Sequence, residues 1–283
     1  METIARVSAR VFVGLSLCFA IACEDDALAD DIRRVFATLA AAGDDERAGG
    51  PSVRYRVDVD PAGRCTLGRD GETLLSGATR AELVDLLTWD VNQRVADTSA
   101  AHILFHAGAV ELGGRGVLIP GVSGSGKSTL TAALVRRGSS YLTDELVAMT
   151  ADGGRLLPFP KALALDERSL GVLGMEPGAG CRGAGSVHVV IDALRPGATG
   201  TACTPGALVF PRYRPGVSGA PVPMTRADAL LELLTNTVNL GDHGGGGLRV
   251  LADLVERCPA YALDVADLDL ACDAVRAAVG EAG

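Results

Sequence analysis

The residues of this chain best placed to do chemistry lie in one run, Gly121-Val122-Ser123-Gly124-Ser125-Gly126-Lys127-Ser128. The glycine spacing followed by Lys-Ser is that of a phosphate-binding P-loop. Glycines let backbone N–H groups turn inward onto phosphate oxygens. Lys127 would add a point charge at the β- and γ-oxygens, and Ser128 a hydroxyl for Mg²⁺. Together with Thr129, the residue that follows, these positions form the predicted nucleotide-binding set, with ATP as the ligand.

Such a loop needs a strand before it and a helix after it. Gly116-Val117-Leu118-Ile119-Pro120 reads as a buried strand entering the loop. Leu130, Ala133 and Leu134 have helical spacing, and Arg136, Arg137 and Gly138 close that helix. Upstream, the strand near Ile103 to His106 runs on through Val110 and Leu112, and Gly113 to Gly116 turns it back. If Leu112 faces Val117, this hairpin sets His106 opposite Ser123, inside the loop.

Downstream of the helix, the short strand Tyr141-Leu142-Thr143 runs into Asp144-Glu145. A right-handed crossover would make it parallel to the loop strand, so that both open at one sheet edge. One carboxylate would then hold Mg²⁺ and the other accept the proton of an attacking hydroxyl. Asp144, with Ser128, is the predicted metal contact. Asp192, ending the apolar run Val187 to Ile191, competes for that role but follows a strand more distant in the chain. Arg212, Arg214 and Lys161 read equally well as stabilisers of transferred charge or as solvated cations. The glycine-rich stretch Gly171 to Gly185 is expected to be a mobile loop beside the site.

Ahead of this region the chain predicts a smaller α/β unit. Arg54 to Asp60 alternates as a strand with one wet face, and Arg69-Asp70-Gly71 marks a hairpin. Arg80 to Ala96 reads as a helix. The expected division is residues 1–97, a small N-terminal α/β domain, and 98–283, the P-loop domain. Residues 40–52 read as a surface loop. The apolar run Val11 to Cys23 follows Arg6 and Arg10, and Ala20-Ile21-Ala22-Cys23 resembles a lipoprotein cleavage site. The reading preferred here is a buried strand feeding a helix that starts at acidic residues and turns Ile32, Val35, Phe36 and Leu39 inward. The run is too short to span a bilayer as a helix.

Composition narrows the partners. A net charge of −9 and a single Trp argue against binding nucleic acid through a basic or stacking surface. Seven cysteines and four histidines show neither C-x-x-C pairs nor zinc spacing. Dispersed thiols, like a site for ATP, fit a cytoplasmic protein with no membrane partner.

Taken together, His106-Ala-Gly-Ala-Val, the run Gly116 to Thr129, Arg136-Arg137-Gly138 and Leu142-Thr143-Asp144-Glu145-Leu146 resemble the HPr kinase/phosphorylase catalytic domain. More closely they resemble the HPr-kinase-like proteins of ribosomal peptide biosynthesis, including that of lasso peptides. The likeness is sharpest over residues 102–165. It implies an α/β fold with a P-loop kinase core of the HPr kinase / phosphoenolpyruvate carboxykinase type. It further implies a nucleotide- and Mg²⁺-dependent kinase acting on serine, with His106, Lys127, Asp144 and Glu145 as functional residues and Ser128 as a metal contact. In that family Asp stands where this chain has Val122, and the second acid, acting as base, is Asp where this chain has Glu145. Glu176 is the nearest candidate for the family's further metal-binding Glu. The expected function is therefore an ATP- and Mg²⁺-dependent kinase whose acceptor is a serine of a peptide or small protein, such as a ribosomal natural-product precursor. A small-molecule kinase and a nucleotide-dependent regulatory ATPase are the alternatives, and the sequence leaves open whether the chain forms a homo-oligomer.

Overall fold

The computed structural model describes residues 9–39, 51–176, 178, 180–217 and 219–280. Of the loop expected over 40–52, residues 40–50 lie outside these. The architecture is mixed α/β, as the sequence predicts. In chain order the first half contains β1 (Ala9–Gly14), β2 (Leu17–Cys23), α1 (Asp26–Val35), β3 (Val53–Val59), β4 (Cys65–Arg69), β5 (Glu72–Ala78), α2 (Arg80–Thr98), β6 (His102–Leu112), β7 (Arg115–Pro120) and α3 (Lys127–Arg136). There follow β8 (Ser140–Thr143), β9 (Leu146–Thr150), β10 (Leu156–Leu157), β11 (Leu163–Leu165), α4 (Glu167–Val172), β12 (Gly180–Arg182), β13 (Val187–Val189) and α5 (Ile191–Leu194). The last part is β14 (Thr204–Tyr213), β15 (Val222–Pro223), α6 (Arg226–Thr235), α7 (Leu240–Arg257), β16 (Ala260–Val265) and α8 (Leu268–Val279).

The apolar run near the N-terminus folds as a hairpin of β1 and β2 at one edge of a five-stranded sheet, β1-β2-β3-β4-β5. Asp70 and Gly71 both have positive φ, at 50° and 90°, which suits the tight turn between β4 and β5. The Asp25 carboxylate caps α1 by accepting from the Leu28 N–H at 2.8 Å. A capping box between Thr79 and Glu82 starts α2. Leu28 and Ile32 of α1 and Leu83, Leu87 and Val91 of α2 pack on the inward residues of this sheet.

The second sheet carries the loop. Its order is β10-β9-β6-β7-β14-β16-β15, with β8 also paired to β6. Alternation along its strands feeds two cores. Val117 and Ile119 of β7 face Leu130 and Leu134 of α3 and Val275 of α8. Leu118, between them, faces the opposite layer with Leu233 of α6 and Leu251 and Leu254 of α7. A sheet covered on both faces explains why β7 is apolar at every interior position rather than alternating.

Three expectations need correction. The β6–β7 hairpin is tighter than expected, with Leu112 opposite Arg115 and Val110 opposite Val117. Gly113 and Gly114, at φ 58° and 78°, form the whole turn, because two residues of positive φ suffice to reverse the chain. Second, β8 runs parallel to β7 as expected but is not its neighbour. It pairs antiparallel with β6, whose hairpin inserts it between them, and the parallel neighbour of β7 is β14. Third, residues 171–185 are not a loop throughout. They include the end of α4 and β12, which pairs with β13 in a separate three-stranded sheet.

Candidate active site

The chain leaves β7 at Pro120 and enters α3 at Lys127. Between them Gly124 and Gly126 adopt φ of 80° and 97°, a region costly for other residues. Gly126 stands at the N-cap of α3 and supplies no side-chain cap. The first intrahelical bond, from the Leu130 N–H to the Gly126 carbonyl at 2.9 Å, leaves the N–H groups of Lys127, Ser128 and Thr129 at the open end of the helix. Such an end favours anions. Gly121 is needed for closeness, since a Cβ there would stand 2.6 Å from Ser125 Oγ. That hydroxyl is buried without a hydrogen-bond partner among the described residues. The open N–H groups at the start of α3 and the left-handed glycines before it fit a phosphate group. Lys127 Nζ donates to the Val122 carbonyl at 3.1 Å, across the loop. Burial lowers the Lys127 pKa, opposed by the charges of Glu145 and Asp144.

A cleft of about 610 Å³ opens on this loop. Ser123, Gly124, Gly126, Lys127, Ser128 and Thr129 line its floor, and His106 and Glu145 stand beside them. His106 reaches the site despite the shorter hairpin, because the register moves by two residues and keeps its side chain on the same face. It lies one position beyond the Ala107–Pro120 pair, beside Gly121. His106 Nδ1 is 3.4 Å from Glu145 Oε1, and the two side chains are 37% and 39% exposed. Burial holds the imidazole below its ordinary pKa; Glu145 opposes this and Lys127 adds to it. A neutral His106 donates from one ring N–H alone.

Asp144 does not line the cleft. β8 and β9 form one antiparallel edge along β6, interrupted only at Asp144-Glu145, and the Ala107 N–H still donates to the Glu145 carbonyl at 3.1 Å. The two acids face different surroundings. Asp144 is fully buried and accepts from Tyr141 Oη at 2.9 Å, Lys161 Nζ at 3.3 Å and the Ala164 N–H at 3.2 Å. Its charge partly opposes the lowering of the Lys127 and His106 pKa values that burial causes. In this arrangement Asp144 lies beneath the cleft, held by these three donors. Glu145 and Ser128 are the hard oxygen donors of the lining next to the loop lysine, a set that suits Mg²⁺ shared with nucleotide phosphates. Among the described residues no three His, Cys, Asp or Glu side chains converge on one metal position.

Other candidates lie elsewhere. Asp192 sits on α5 and accepts from the Gly197 N–H at 3.0 Å. Arg212 and Arg214 pair with Glu232 and Asp264 at 3.7 and 3.4 Å, and Glu176 is exposed outside the cleft. Val122 and Ser125 belong to the loop but not to the lining. Sequence reasoning missed Asp166, Arg168, Ser169 and Tyr213, which line the cleft from α4 and the end of β14. Asp166 caps α4 through the Ser169 N–H at 2.8 Å, and Thr129 Oγ1 lies 2.8 Å from Ser169 Oγ. The only local signal was the helix-start spacing of Asp166 and Ser169.

No protein-family model matches the chain. Part of it is similar to HPr kinase/phosphorylase of Bordetella pertussis, 37% identical over 97 residues, which is 33% of this chain and 30% of that protein. A second relative, the HPr kinase/phosphorylase of Streptococcus salivarius, is 32% identical over 101 residues, covering 36% of this chain and 29% of that protein. The chain thus spans about a third or less of the length of the curated relatives it matches. Among solved structures, the Hpr(Ser) kinase/phosphatase from Coxiella burnetii is similar at 16% identity and a TM-score of 0.36, over 62% of this chain and 94% of that one. About one third of this chain is therefore HPr kinase/phosphorylase-like in sequence.

Proposed function

We propose that the protein is an ATP- and Mg²⁺-dependent kinase that transfers a phosphoryl group to a serine hydroxyl of a peptide or small protein. One arrangement supports this above all others. The open N-terminus of α3, Lys127 and Ser128 share a cleft with the Glu145–His106 pair. In this reading the loop N–H groups and Lys127 hold the triphosphate and stabilise charge that develops on it. Ser128 would offer its hydroxyl to Mg²⁺, which supplies charge neutralisation when bound. The acceptor oxygen attacks the γ-phosphorus, the bond to the β-phosphate oxygen breaks, and ADP leaves. Glu145 accepts the hydroxyl proton, and His106 hydrogen-bonds either the carboxylate or a phosphoryl oxygen.

A short ribosomal precursor, such as that of a lasso peptide, is the acceptor suggested by the sequence resemblance. A cytoplasmic location follows from the need for ATP, and no helix among the described residues is long and apolar enough to cross a membrane. The test is incubation of the purified chain with candidate peptides, ATP and Mg²⁺, read by mass spectrometry. Phosphoserine formed by the wild type and lost in Lys127→Ala supports the kinase. ATP hydrolysis at a rate indifferent to every acceptor would favour the regulatory ATPase, and phosphorylation of small alcohols alone the small-molecule kinase.

A further inference from the structure

The cleft changes character from one end to the other. The sheet runs β9-β6-β7-β14-β16, and β7 carries the phosphate loop. His106 and Glu145 belong to the β6 side. Tyr213 ends β14, while Val265 and Ala266 end β16 and Leu268 begins α8. Adjacent strands lie about 4.8 Å apart, so the three steps from β6 to β16 span about 14 Å. This is a distance across which a nucleoside triphosphate can stretch. The β6 end is charged. The β16 end is walled by Val265, Ala266, Leu268 and, from α4, Val172.

At that second end Arg168 lies over Tyr213, with its guanidinium carbon 4.4 Å from the ring centre and a hydrogen bond donated to the hydroxyl. Among the described residues, Tyr213 is the one Phe, Tyr or Trp in the lining. Asp166 caps the same helix, and the bonds from Ser169 hold its carboxylate below the usual range. An apolar wall beside a stacked guanidinium suits a neutral planar ring, since heteroaromatic rings stack on both aromatic faces and Arg planes. The Ser169–Thr129 contact fixes α4 against the first turn of α3, so this platform keeps its place relative to the loop.

We propose that the stacked Arg168–Tyr213 pair and the wall of Val172, Val265, Ala266 and Leu268 form a nucleobase subsite, and that the triphosphate runs from it across β7 toward Glu145. This rests on the nucleotide-binding reading above and adds to it the direction of the ligand and the residues that distinguish a nucleotide from bare polyphosphate.

The test is calorimetric titration of the full chain with Mg²⁺-ATP and, separately, with Mg²⁺-tripolyphosphate. Wild type should bind ATP more tightly than tripolyphosphate. Arg168→Ala and Tyr213→Ala should each weaken ATP on the order of tenfold while leaving tripolyphosphate unchanged. Tyr213→Phe keeps the ring and should bind ATP nearly as wild type does. Unchanged ATP affinity in both alanine variants overturns the subsite while the phosphate loop stands. Equal weakening of both ligands by Arg168→Ala also overturns it, since Arg168 would then contact phosphate. Wild type that binds neither ligand removes the nucleotide reading itself.

Discussion

Lys161 Nζ lies 3.3 Å from Asp144 Oδ1 in a setting where the two side chains are 2% and 1% exposed. The pair is completed by Tyr141, whose hydroxyl bonds the same carboxylate at 2.9 Å, and by the Ala164 N–H at 3.2 Å. Two charges removed from water persist only where attraction and hydrogen bonds offset the desolvation of each. Asp144 therefore fixes the segment from which Glu145 projects, and the neighbouring acids divide into an anchor and a cleft-facing carboxylate.

Lys161→Met should leave that carboxylate buried without its cation and destabilise the fold by about 3–5 kcal/mol. Combining it with Asp144→Asn removes both charges and should recover most of the loss. Denaturant unfolding of the single and double variants measures this. A Lys161→Met protein as stable as wild type would show that the pair holds nothing in place.

Glu145→Gln should abolish phosphoryl transfer while nucleotide affinity stays near that of wild type, because the amide cannot take a proton at neutral pH. Asp144→Asn should lower the melting temperature, with any loss of rate accompanied by loss of fold. Single-turnover kinetics beside thermal unfolding separate the two. Loss of Mg²⁺-nucleotide affinity in Glu145→Gln would instead make Glu145 a metal contact.

The contrast between these acids marks the limit of what the chain declares in advance. Local pattern was enough for β7, for α2 and for the glycine-spaced loop, because each depends on residues within a few positions. It also brought His106 to the loop, since a slip of two residues leaves a strand's faces unchanged. Burial is different, because distant segments decide it. Lys161, in Pro158-Phe159-Pro160-Lys161, has no local sign of a buried partner, and it acquires one only when the segment before β11 packs beneath Asp144. Arg168 and Tyr213 meet across 45 residues of chain, with no shared motif to announce them. Sheet order beyond that hairpin was illegible for the same reason: β6 fills one side of β7, and nothing in β14 says that it will fill the other.

Lys127→Ala removes a charge aimed at phosphoryl oxygens from a largely buried position. The loss expected for one such stabiliser is about 2.7–4 kcal/mol, or on the order of 100- to 1000-fold in rate. The fold should be unharmed, since the lysine's polar contact in this structure is the Val122 carbonyl. Steady-state transfer by a variant shown folded by circular dichroism checks it, and an unchanged rate would remove the loop from the mechanism.

His106 gives stability a pH dependence of defined sign. Its pKa in the folded protein lies below the ordinary 6.5, chiefly through burial. Above about pH 6.5 the folded and unfolded chains both carry a neutral imidazole, and this group contributes no difference. As pH falls below that value the unfolded chain takes up a proton first, so stability declines until the folded-state pKa is passed and then levels off. His106→Gln cannot titrate and should lose this part of the acid-side decline, seen as a flatter melting temperature between pH 6.5 and the more acid end of the profile. Transfer should respond separately, because the Gln amide can still donate to Glu145 or a phosphoryl oxygen, whereas His106→Ala cannot. Partial activity in the Gln variant with strong loss in the Ala variant makes the hydrogen bond the contribution that matters. Wild-type rates in both would leave His106 as a strand residue beside the loop, with no part in the chemistry.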